Sequence, residues 1–290
     1  MSTHKEIDKA TGTETTGHVW DDDLKELNEP LPKWWLYTFY VCIVWAIGYM
    51  VLYPAWPMVD GYTRGVLGYS QRETVALEIT TAKQAQSAYR AQLSETPLAE
   101  VKTKPDLLRF ATASGGAAFA TNCAPCHGRG AQGFSGYPNL NDDDWIWGGQ
   151  PEQILKTIQY GIRSDHKDTH ATLMPRFGTD KLLEAAQIED AAEYVMSLSA
   201  LTHNAEAAGR GATIFAEQCA ACHGEKGQGN QELGAPTLSD AIWLYGNQRQ
   251  DVIQSIMTGR GGKMPAWVGR LDDVTIKAVT VYVQSLGGAK

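Results

Sequence analysis

The longest apolar stretch of the chain is Trp34–Tyr53, and no charged residue occurs between Lys33 and Asp60. About 20 helical residues extend about 30 Å, which is the thickness of the hydrocarbon core of a bilayer. Aromatic residues cluster at both ends of the stretch, as they do at the headgroup regions of a membrane. Pro54 stops the helix. The pattern predicts a transmembrane anchor over residues 34–56 rather than a buried helix of a soluble protein.

A cleaved signal peptide is the alternative for an apolar stretch near the N-terminus. About 33 mostly polar residues precede this stretch, it is longer than the apolar region of a signal peptide, and no small-residue cleavage site follows it. The stretch is therefore predicted to be retained. Lys25 and Lys33 on one side balance Arg64 and Arg72 on the other, so loop charge does not orient the helix.

Beyond the anchor, a second hydrophobic pattern occurs twice. Ile154 and Ile158 have the spacing of one face of a helix, and so do Val252 and Ile256. Each copy also contains a Gly-rich loop and ends in a further helix-like stretch, whereas clear strand runs are few. Corresponding positions, first copy before second, are Phe119 and Phe215, Gly128 and Gly224, Trp145 and Trp243, Gly161 and Gly259, and Tyr194 and Tyr282. A repeat of this size indicates a duplicated domain rather than a solenoid.

Composition is consistent with this division. At 290 residues, with 43% apolar and 20% charged residues, the chain has the composition of a globular protein and the length of two domains. The predicted fold is mainly α, with one N-terminal transmembrane helix followed by two tandem all-α domains. The expected ranges are an N-terminal segment 1–33, the anchor 34–56, a connector 57–112, a first domain 113–200 and a second domain 201–290.

Each copy carries the sequence Cys-x-x-Cys-His, which is the attachment motif of c-type haem. Two thiols one helical turn apart are placed to bond both vinyl groups of one porphyrin. The histidine that follows then lies under the iron as its proximal ligand. The chain is therefore predicted to bind two haem c groups covalently. The predicted attachment sites are Cys123, Cys126, Cys219 and Cys222, and the predicted proximal ligands are His127 and His223.

Zinc, a redox dithiol or a disulfide could also use a Cys-x-x-Cys pair. Paired zinc-binding motifs usually lie about 15–20 residues apart, and Cys126 and Cys219 are much farther apart. A redox dithiol has no need for a histidine in both copies. Cys42, inside the apolar stretch, is expected to be a packing or lipid-facing thiol.

An electron carrier is expected to have both axial positions of its iron filled. Methionine is the usual partner of histidine in such sites, and its soft thioether raises the reduction potential. Met174 and Met264 occupy equivalent places in the two copies, each before a proline, and are the predicted sixth ligands. Pairing within each copy, His127 with Met174 and His223 with Met264, is the simplest arrangement. A crossed arrangement remains open.

The two copies differ between Gly161 and Met174, where the first copy is longer and carries His166 and His170. Either histidine could in principle bind iron, although a solvated loop histidine is the simpler interpretation. No catalytic residue is predicted, because two iron sites closed by histidine and methionine conduct electrons without binding a substrate.

The complete arrangement resembles a known family. Its features are the entry Asn-Glu-Pro-Leu-Pro-Lys-Trp-Trp at residues 28–35, one anchor, a connector, and two tandem modules that resemble the class I cytochrome c fold. Together they resemble the dihaem subunit of cbb₃-type cytochrome c oxidases, which is subunit III, also called the P subunit, FixP or CcoP. The resemblance covers nearly the whole chain and implies the same eight haem-binding residues.

The resemblance implies a role in aerobic respiration. Such a subunit takes electrons from a donor c-type cytochrome and passes them, through a monohaem cytochrome c subunit, to a haem-b/copper catalytic subunit that reduces oxygen and pumps protons. The expected location is the bacterial inner membrane, in contact with lipid. Because covalent haem c is attached outside the cytoplasmic membrane, the N-terminus is expected in the cytoplasm and residues 58–290 in the periplasm. No nucleic-acid partner is expected.

Two other functions remain open at the level of sequence. One is a dihaem electron-transfer subunit of another periplasmic redox enzyme. The other is a dihaem peroxidase, which needs an open distal position on one iron and is disfavoured by the Met-Pro pair in both copies. The range 113–200 is acidic and 201–290 is close to neutral. The acidic run Asp142–Asp144 is therefore a candidate surface for steering a basic donor, or it simply solvates a loop.

Overall fold

A computed structural model describes residues 6–21 and 24–288 of the chain, which form two units, Met1–Gln84 and Ala85–Lys290. The first unit contains two short antiparallel hairpins on either side of one long helix. Its elements are β1 (Thr15–Trp20), β2 (Leu24–Leu27), α1 (Lys33–Leu52), β3 (Pro57–Met58) and β4 (Gly61–Tyr62). The hairpins were not expected from the sequence, because the N-terminal strands show little hydrophobic alternation.

Helix α1 corresponds to the predicted anchor. It begins directly after Pro32, and Tyr53, which donates its N–H to Tyr49 O at 2.8 Å, precedes the helix-stopping Pro54. Among the described residues it is the one helix long and apolar enough to cross a bilayer. No residue of α1 is buried within the chain. A helix that is apolar on every face and uncovered by protein is consistent with a lipid environment.

The second unit is helical. A long helix, α2 (Gln71–Glu95), leads into it from the first unit. The remaining helices are α3 (Leu98–Val101), α4 (Pro105–Asn122), α5 (Ala124–His127), α6 (Pro151–Tyr160), α7 (Ala185–Leu198), α8 (Ala205–Gln218), α9 (Ala220–His223), α10 (Arg249–Thr258) and α11 (Asp273–Ser285).

Helix α4 begins earlier than the repeat pattern suggests. Pro105 occupies its first turn, where a missing N–H costs nothing. Leu107 and Ala111, in the first half of α4, are fully buried in a cluster with Leu93 and Ala278. The expected boundary between connector and first domain, at residue 112, therefore lies inside a helix whose N-terminal half is part of the core.

The helices pair across the two sequence copies. Helix α4, which leads into the first Cys-x-x-Cys-His, packs against α11 at the end of the chain, and Gly115 allows the contact. A Cβ atom at Gly115 would lie 2.1 Å from the carbonyl oxygen of Ala278. Helix α8, which leads into the second motif, packs against α7 from the first copy. At that crossing a Cβ atom at Gly211 would lie 2.0 Å from the carbonyl oxygen of Asp190.

Two interleaved modules result. We call α4, α5, α6 and α11 module one, and α7, α8, α9 and α10 module two. The core of module one contains Phe119, Ile154, Ile158, Trp267, Ile276, Val279 and Val283. The core of module two contains Phe177, Ile188, Val195, Phe215, Val252 and Ile256. The packing does not coincide with the expected ranges 113–200 and 201–290, since each range contributes its last helix to the other module.

The short link between α7 and α8 explains the exchange. Only residues 199–204 separate the two helices, and a link of this length favours antiparallel neighbours. The link is held by Glu193, a buried carboxylate of α7 that accepts the N–H of Asn204 at 2.6 Å. Asn204 in turn caps α8 by accepting the N–H groups of Glu206 and Ala207. Arg249 of α10 donates to Glu193 at 2.6 Å and joins the third helix to the pair.

Candidate haem-binding sites

Each Cys-x-x-Cys-His motif folds as one turn of helix at the end of a longer helix. Cys123 caps α4, and the N–H of His127 returns to Cys123 O at 2.9 Å. The second motif has the same geometry, with the N–H of His223 at 2.9 Å from Cys219 O. The predicted turn, with thiols and imidazole in successive positions around it, is thus present in both modules.

The two histidines are oriented by backbone carbonyls. Nδ1 of His127 lies 3.1 Å from Pro138 O, and Nδ1 of His223 lies 3.0 Å from Pro236 O. A carbonyl oxygen only accepts, so Nδ1 carries the proton and Nε2 carries the lone pair. Burial lowers the pKa of both imidazoles, which favours the neutral form of the ring. A neutral ring with its Nδ1–H anchored in this way is the form in which histidine ligates a metal.

The first thiol of each motif is partly buried and retains its proton at neutral pH. Burial, followed by the nearby second thiol, raises the pKa of Cys123 and of Cys219 to about 11. Redox-active dithiols have a lowered pKa instead, because the thiolate is the nucleophile. All five cysteines lie in the described residues and none forms a disulfide. The raised pKa of the first thiol therefore does not favour a redox dithiol.

Two tryptophans complete the sites. Within residues 6–21 and 24–288, two buried polar side-chain atoms have no hydrogen-bond partner, and they are Nε1 of Trp145 and Nε1 of Trp243. An indole N–H can only donate, and leaving it unpaired in a buried place costs about 1–3 kcal/mol. An acceptor supplied by a bound group removes this cost, and haem carries two carboxylates. The sequence showed these residues as a repeated pair, but repetition alone did not assign them a role.

The two methionines lie in the modules opposite to their sequence copies. Met264 packs against the core of module one, together with Cys123 and Trp145. Its backbone forms a two-bond bridge with Ile162 just after α6, with N···O distances of 3.0 and 2.9 Å. Gly161, the C-cap of α6, has a φ of +70°, and a Cβ atom there would lie 2.3 Å from Met264 O. Only glycine meets both requirements.

The mirror arrangement holds Met174. It packs against the core of module two, together with Cys219 and Trp243. Gly259, the C-cap of α10, has a φ of +67°, and a Cβ atom there would lie 2.5 Å from Met174 O. The packing therefore groups His127 with Met264 and His223 with Met174. Of the two arrangements that the sequence left open, this is the crossed one.

Comparison with known proteins assigns the family. A family model described as the N-terminal domain of cytochrome oxidase-cbb3, FixP, matches residues 12–60. A second, described as cytochrome C oxidase, cbb3-type, subunit III, matches residues 110–195 and 206–283. The chain belongs to this subunit III family.

Full-length relatives carry the same assignment. The chain is 52% identical to the cbb3-type cytochrome c oxidase subunit FixP of Bradyrhizobium sp. (strain ORS 278), over 100% of both chains. It is 51% identical to the subunit CcoP of Azospirillum brasilense, over 99% of both chains, and 50% identical to that of Cereibacter sphaeroides, over 95% of both. The resemblance drawn from the sequence is confirmed. The chain is a cytochrome c electron-transfer subunit of this oxidase.

The two histidines of the longer loop in the first copy make specific contacts that hold the loop in place. His166 stacks on Tyr160 with ring centroids 4.7 Å apart, and its Nδ1 accepts the N–H of Asp168 at 3.1 Å. His170 stacks on Trp147 at 4.2 Å, and its Nε2 lies 3.1 Å from Thr157 Oγ1. Both rings are half-buried rather than fully solvated. These contacts stabilise the loop.

The acidic run Asp142–Asp144 is only partly a surface feature. Asp143 is exposed, whereas Asp142 and Asp144 are half-buried. Asp144 and Asp240 line one part of the crevice between the modules, and Asp142 and Asp144 line another part. Burial, and then the charges of Asp240 and Asp142, raise the pKa of Asp144 to about 6. Of the three carboxylates considered for steering a basic donor, Asp143 is therefore the exposed one, and the other two lie partly within the crevice.

Proposed function

We propose that the chain carries two covalently bound haem c groups, one in each module, and relays electrons from a donor c-type cytochrome toward the haem-b/copper catalytic subunit of the oxidase. The monohaem cytochrome c subunit is the intermediate acceptor. One observation supports the proposal above all. The same constellation of an anchored histidine, a methionine fastened to a helix C-cap and an unpaired tryptophan N–H occurs in both modules.

The packing of the two methionines supports an assignment of the axial ligands. We assign His127 and Met264 to the haem held by Cys123 and Cys126, and His223 and Met174 to the haem held by Cys219 and Cys222. The haem supplies one-electron chemistry, and the ligand pair keeps the iron closed to other molecules. The list of residues is the one predicted from sequence, while the pairing of methionines is exchanged.

The modules meet through the segments that surround the two sites. Trp147 of the first copy packs on Gly234, where a Cβ atom would lie 2.1 Å from the indole ring. Gly136 donates its N–H to Leu244 O at 2.8 Å, and the Tyr245 ring lies beside Gly136. Gly136 and Gly234 belong to the Gly-rich loops that follow the two haem motifs. These contacts support electron transfer between the two haems within one chain.

Membrane topology is the second part of the proposal. Helix α1 anchors the chain in the bacterial inner membrane, with the N-terminal segment in the cytoplasm and residues 58–290 in the periplasm. The chemistry that supports this orientation is the attachment of haem c, which takes place outside the cytoplasmic membrane. This orientation is tested by labelling lysines in intact cells with an amine reagent that does not cross the inner membrane. Labelling of the exposed Lys226 but not of Lys25 is expected, and the reverse pattern contradicts the orientation.

Single-haem chains test the ligand pairing. The double variant Cys123→Ala/Cys126→Ala of the full chain retains only the second haem, and its thioether-to-iron charge-transfer band reports on one methionine. In that background Met174→Ala is expected to abolish the band and Met264→Ala to leave it in place. The reciprocal result establishes pairing within each copy instead. The band of the double variant itself is the control that the remaining module is intact.

Assembly is tested on solubilised membranes. Affinity purification of the full chain is expected to bring with it haem b, copper and a monohaem cytochrome c. The haem content of the isolated chain, measured as the alkaline pyridine complex, is expected to be two haem c per chain. Recovery of the dihaem chain without haem b and copper contradicts its place in the oxidase, and recovery of one haem per chain contradicts the relay.

A further inference from the structure

The two methionine segments lie side by side, although they come from different sequence copies. We call residues 161–175 the Met174 loop and residues 259–265 the Met264 loop. They are joined by the backbone bridge between Ile162 and Met264. They are also tightly packed, since a Cβ atom at Gly261 would lie 2.3 Å from the side chain of Leu173.

One guanidinium group binds the backbone of both loops. Arg163 donates from Nε to Gly262 O at 2.8 Å and from Nη1 to Thr172 O at 2.5 Å. Gly262 is two residues before Met264, and Thr172 is two residues before Met174. The planar, forked guanidinium presents both donors at once, which the single ammonium group of lysine does not do in the same geometry.

Arg163 is held in an unusual backbone conformation at this point. Its φ is +49°, in the left-handed region that costs free energy for a residue with a side chain. Its own N–H donates to His170 O at 2.7 Å, and the N–H of His170 donates to Gly161 O at 3.2 Å. The loop closure built around His170 therefore aims the side chain of Arg163 at the neighbouring loop.

The second copy has no equivalent of this side chain, because Gly261 occupies the corresponding place two residues after the C-cap glycine. Arg260, in the Met264 loop, is different. It donates to Ser255 Oγ on its own helix at 2.9 Å and stacks over Tyr245 at 4.2 Å. Among the described residues no carboxylate lies within salt-bridge distance of Arg163, so its donors serve the two loop carbonyls.

We propose that Arg163 is a positioning residue shared by both axial methionines: its guanidinium clamps the Met174 loop to the Met264 loop and so holds both thioethers in place. Ligation at the two irons is then coupled through one side chain that touches neither haem iron. The inference rests on the ligand assignment made above, and it adds that a single substitution in one loop weakens both Met–Fe bonds.

The test uses the full chain with its haems in detergent and compares Arg163→Lys and Arg163→Gln with Arg260→Gln. Arg260→Gln is the control, because it removes one positive charge from the Met264 loop and leaves the hydrogen bonds of Arg163 in place. The thioether charge-transfer band is measured in each single-haem background, Cys123→Ala/Cys126→Ala and Cys219→Ala/Cys222→Ala. Both Arg163 variants are expected to weaken the band in both backgrounds, with lysine giving no full rescue, while Arg260→Gln retains it.

Hydrogen exchange of the backbone gives a readout that does not depend on the haems. In Arg163→Lys and Arg163→Gln, the amides of Ile162 and Met264 are expected to exchange at least about tenfold faster, because opening of the bridge becomes easier. A band that weakens in one background only, full rescue by lysine, or unchanged exchange overturns the clamp. Absence of the band in the unsubstituted chain overturns the methionine assignment instead, and exchange still decides on the clamp.

Discussion

Phe119 of α4 packs against Tyr282 of α11 with ring centroids 5.2 Å apart, although the two residues belong to different sequence copies. The equivalent pair in module two is Phe215 and Tyr194, at 5.1 Å. In each pair the helix that presents the haem motif is braced by the final helix of the other copy. The two proposed haem sites are therefore built jointly, since each module contains helices from both copies of the repeat.

Truncation tests the joint construction. A chain that ends at Ala200 lacks α11 and Met264, so Phe119, Ile154 and Ile158 lose the residues that cover them. We expect this truncated chain to be degraded or to fail to mature its haem when it is expressed with the haem-attachment machinery. Haem staining after electrophoresis, beside the full chain, measures this. A stable one-haem product with a thioether band contradicts the interleaved arrangement.

The helix crossing predicts a sharp contrast between two glycines of α8. Gly211→Ala places a methyl group 2.0 Å from the carbonyl oxygen of Asp190 and is expected to destabilise the protein by about 1–3 kcal/mol. Gly209→Ala is the matched control, because a Cβ atom at Gly209 meets nothing within 4 Å. It is expected to stabilise α8 by about 0.5–1 kcal/mol. Thermal unfolding followed by far-ultraviolet circular dichroism separates the two, and equal melting temperatures contradict the close crossing.

Replacing either unpaired tryptophan tests its contact with the haem. Trp145→Phe and Trp243→Phe remove the N–H donor and keep an aromatic ring. Because the donor neutralises part of a carboxylate charge, its loss is expected to favour the oxidised iron and to lower one reduction potential by up to about 60 mV, a tenfold change for one electron. Each variant is expected to shift one of the two haems in a potentiometric titration.

Trp267→Phe is the control for loss of indole bulk in a core. Trp267 is buried in module one, and its Nε1 is not among the unpaired buried atoms. A shift of both potentials in Trp145→Phe, or an equal shift in Trp267→Phe, indicates a general packing effect rather than a donor lost from one haem.

The pKa of Asp144 predicts a pH dependence of stability. Burial raises this pKa to about 6 from the ordinary 3.8, so the folded protein binds the proton more tightly than the unfolded chain does. The stabilisation is fully present below about pH 4 and is lost as pH rises through 6. Asp144→Asn is therefore expected to raise the free energy of unfolding by about 1 kcal/mol at pH 7.5 and to leave it unchanged at pH 4. The value at pH 7.5 is reduced because part of the side chain is exposed to solvent.

Unfolding midpoints of Asp144→Asn and of the unsubstituted chain at the two pH values measure this effect. Asp143→Asn, at the exposed neighbour, is the control for the loss of one carboxylate from the same run. A gain for Asp144→Asn that is the same at both pH values contradicts the buried, partly protonated carboxylate.

Some features of this chain are local and could be predicted without tertiary information. The anchor follows from about 20 apolar residues in succession, because the bilayer demands only length and apolarity. The turn that presents Cys123, Cys126 and His127 follows from a five-residue motif. The hydrogen bonds from both histidines to Pro138 and Pro236 were not predicted, although the two prolines stand at corresponding positions in the repeats.

The pairing of methionine with histidine could not be read from the repeat. Because α7 and α11 occupy corresponding places in the two copies and have similar hydrophobic patterns, the sequence does not decide which of them packs on α4 and which on α8. The six-residue link 199–204 decides between them, since it folds α7 back on α8 and leaves α11 for α4. The unpaired N–H groups of Trp145 and Trp243 likewise become visible only when burial is known.

The sequence by itself determined the anchor, the helical modules and the number of haem motifs, and it supplied the eight residues proposed to bind the haems, because each of these features is encoded within a few neighbouring positions. Tertiary structure alone decided that the modules are interleaved, that Met264 faces the first motif and Met174 the second, and that Arg163 joins both loops. These relationships depend on which distant segments of the chain come into contact. The length of the link between α7 and α8, and the close approach that glycine permits between helices, determine those contacts.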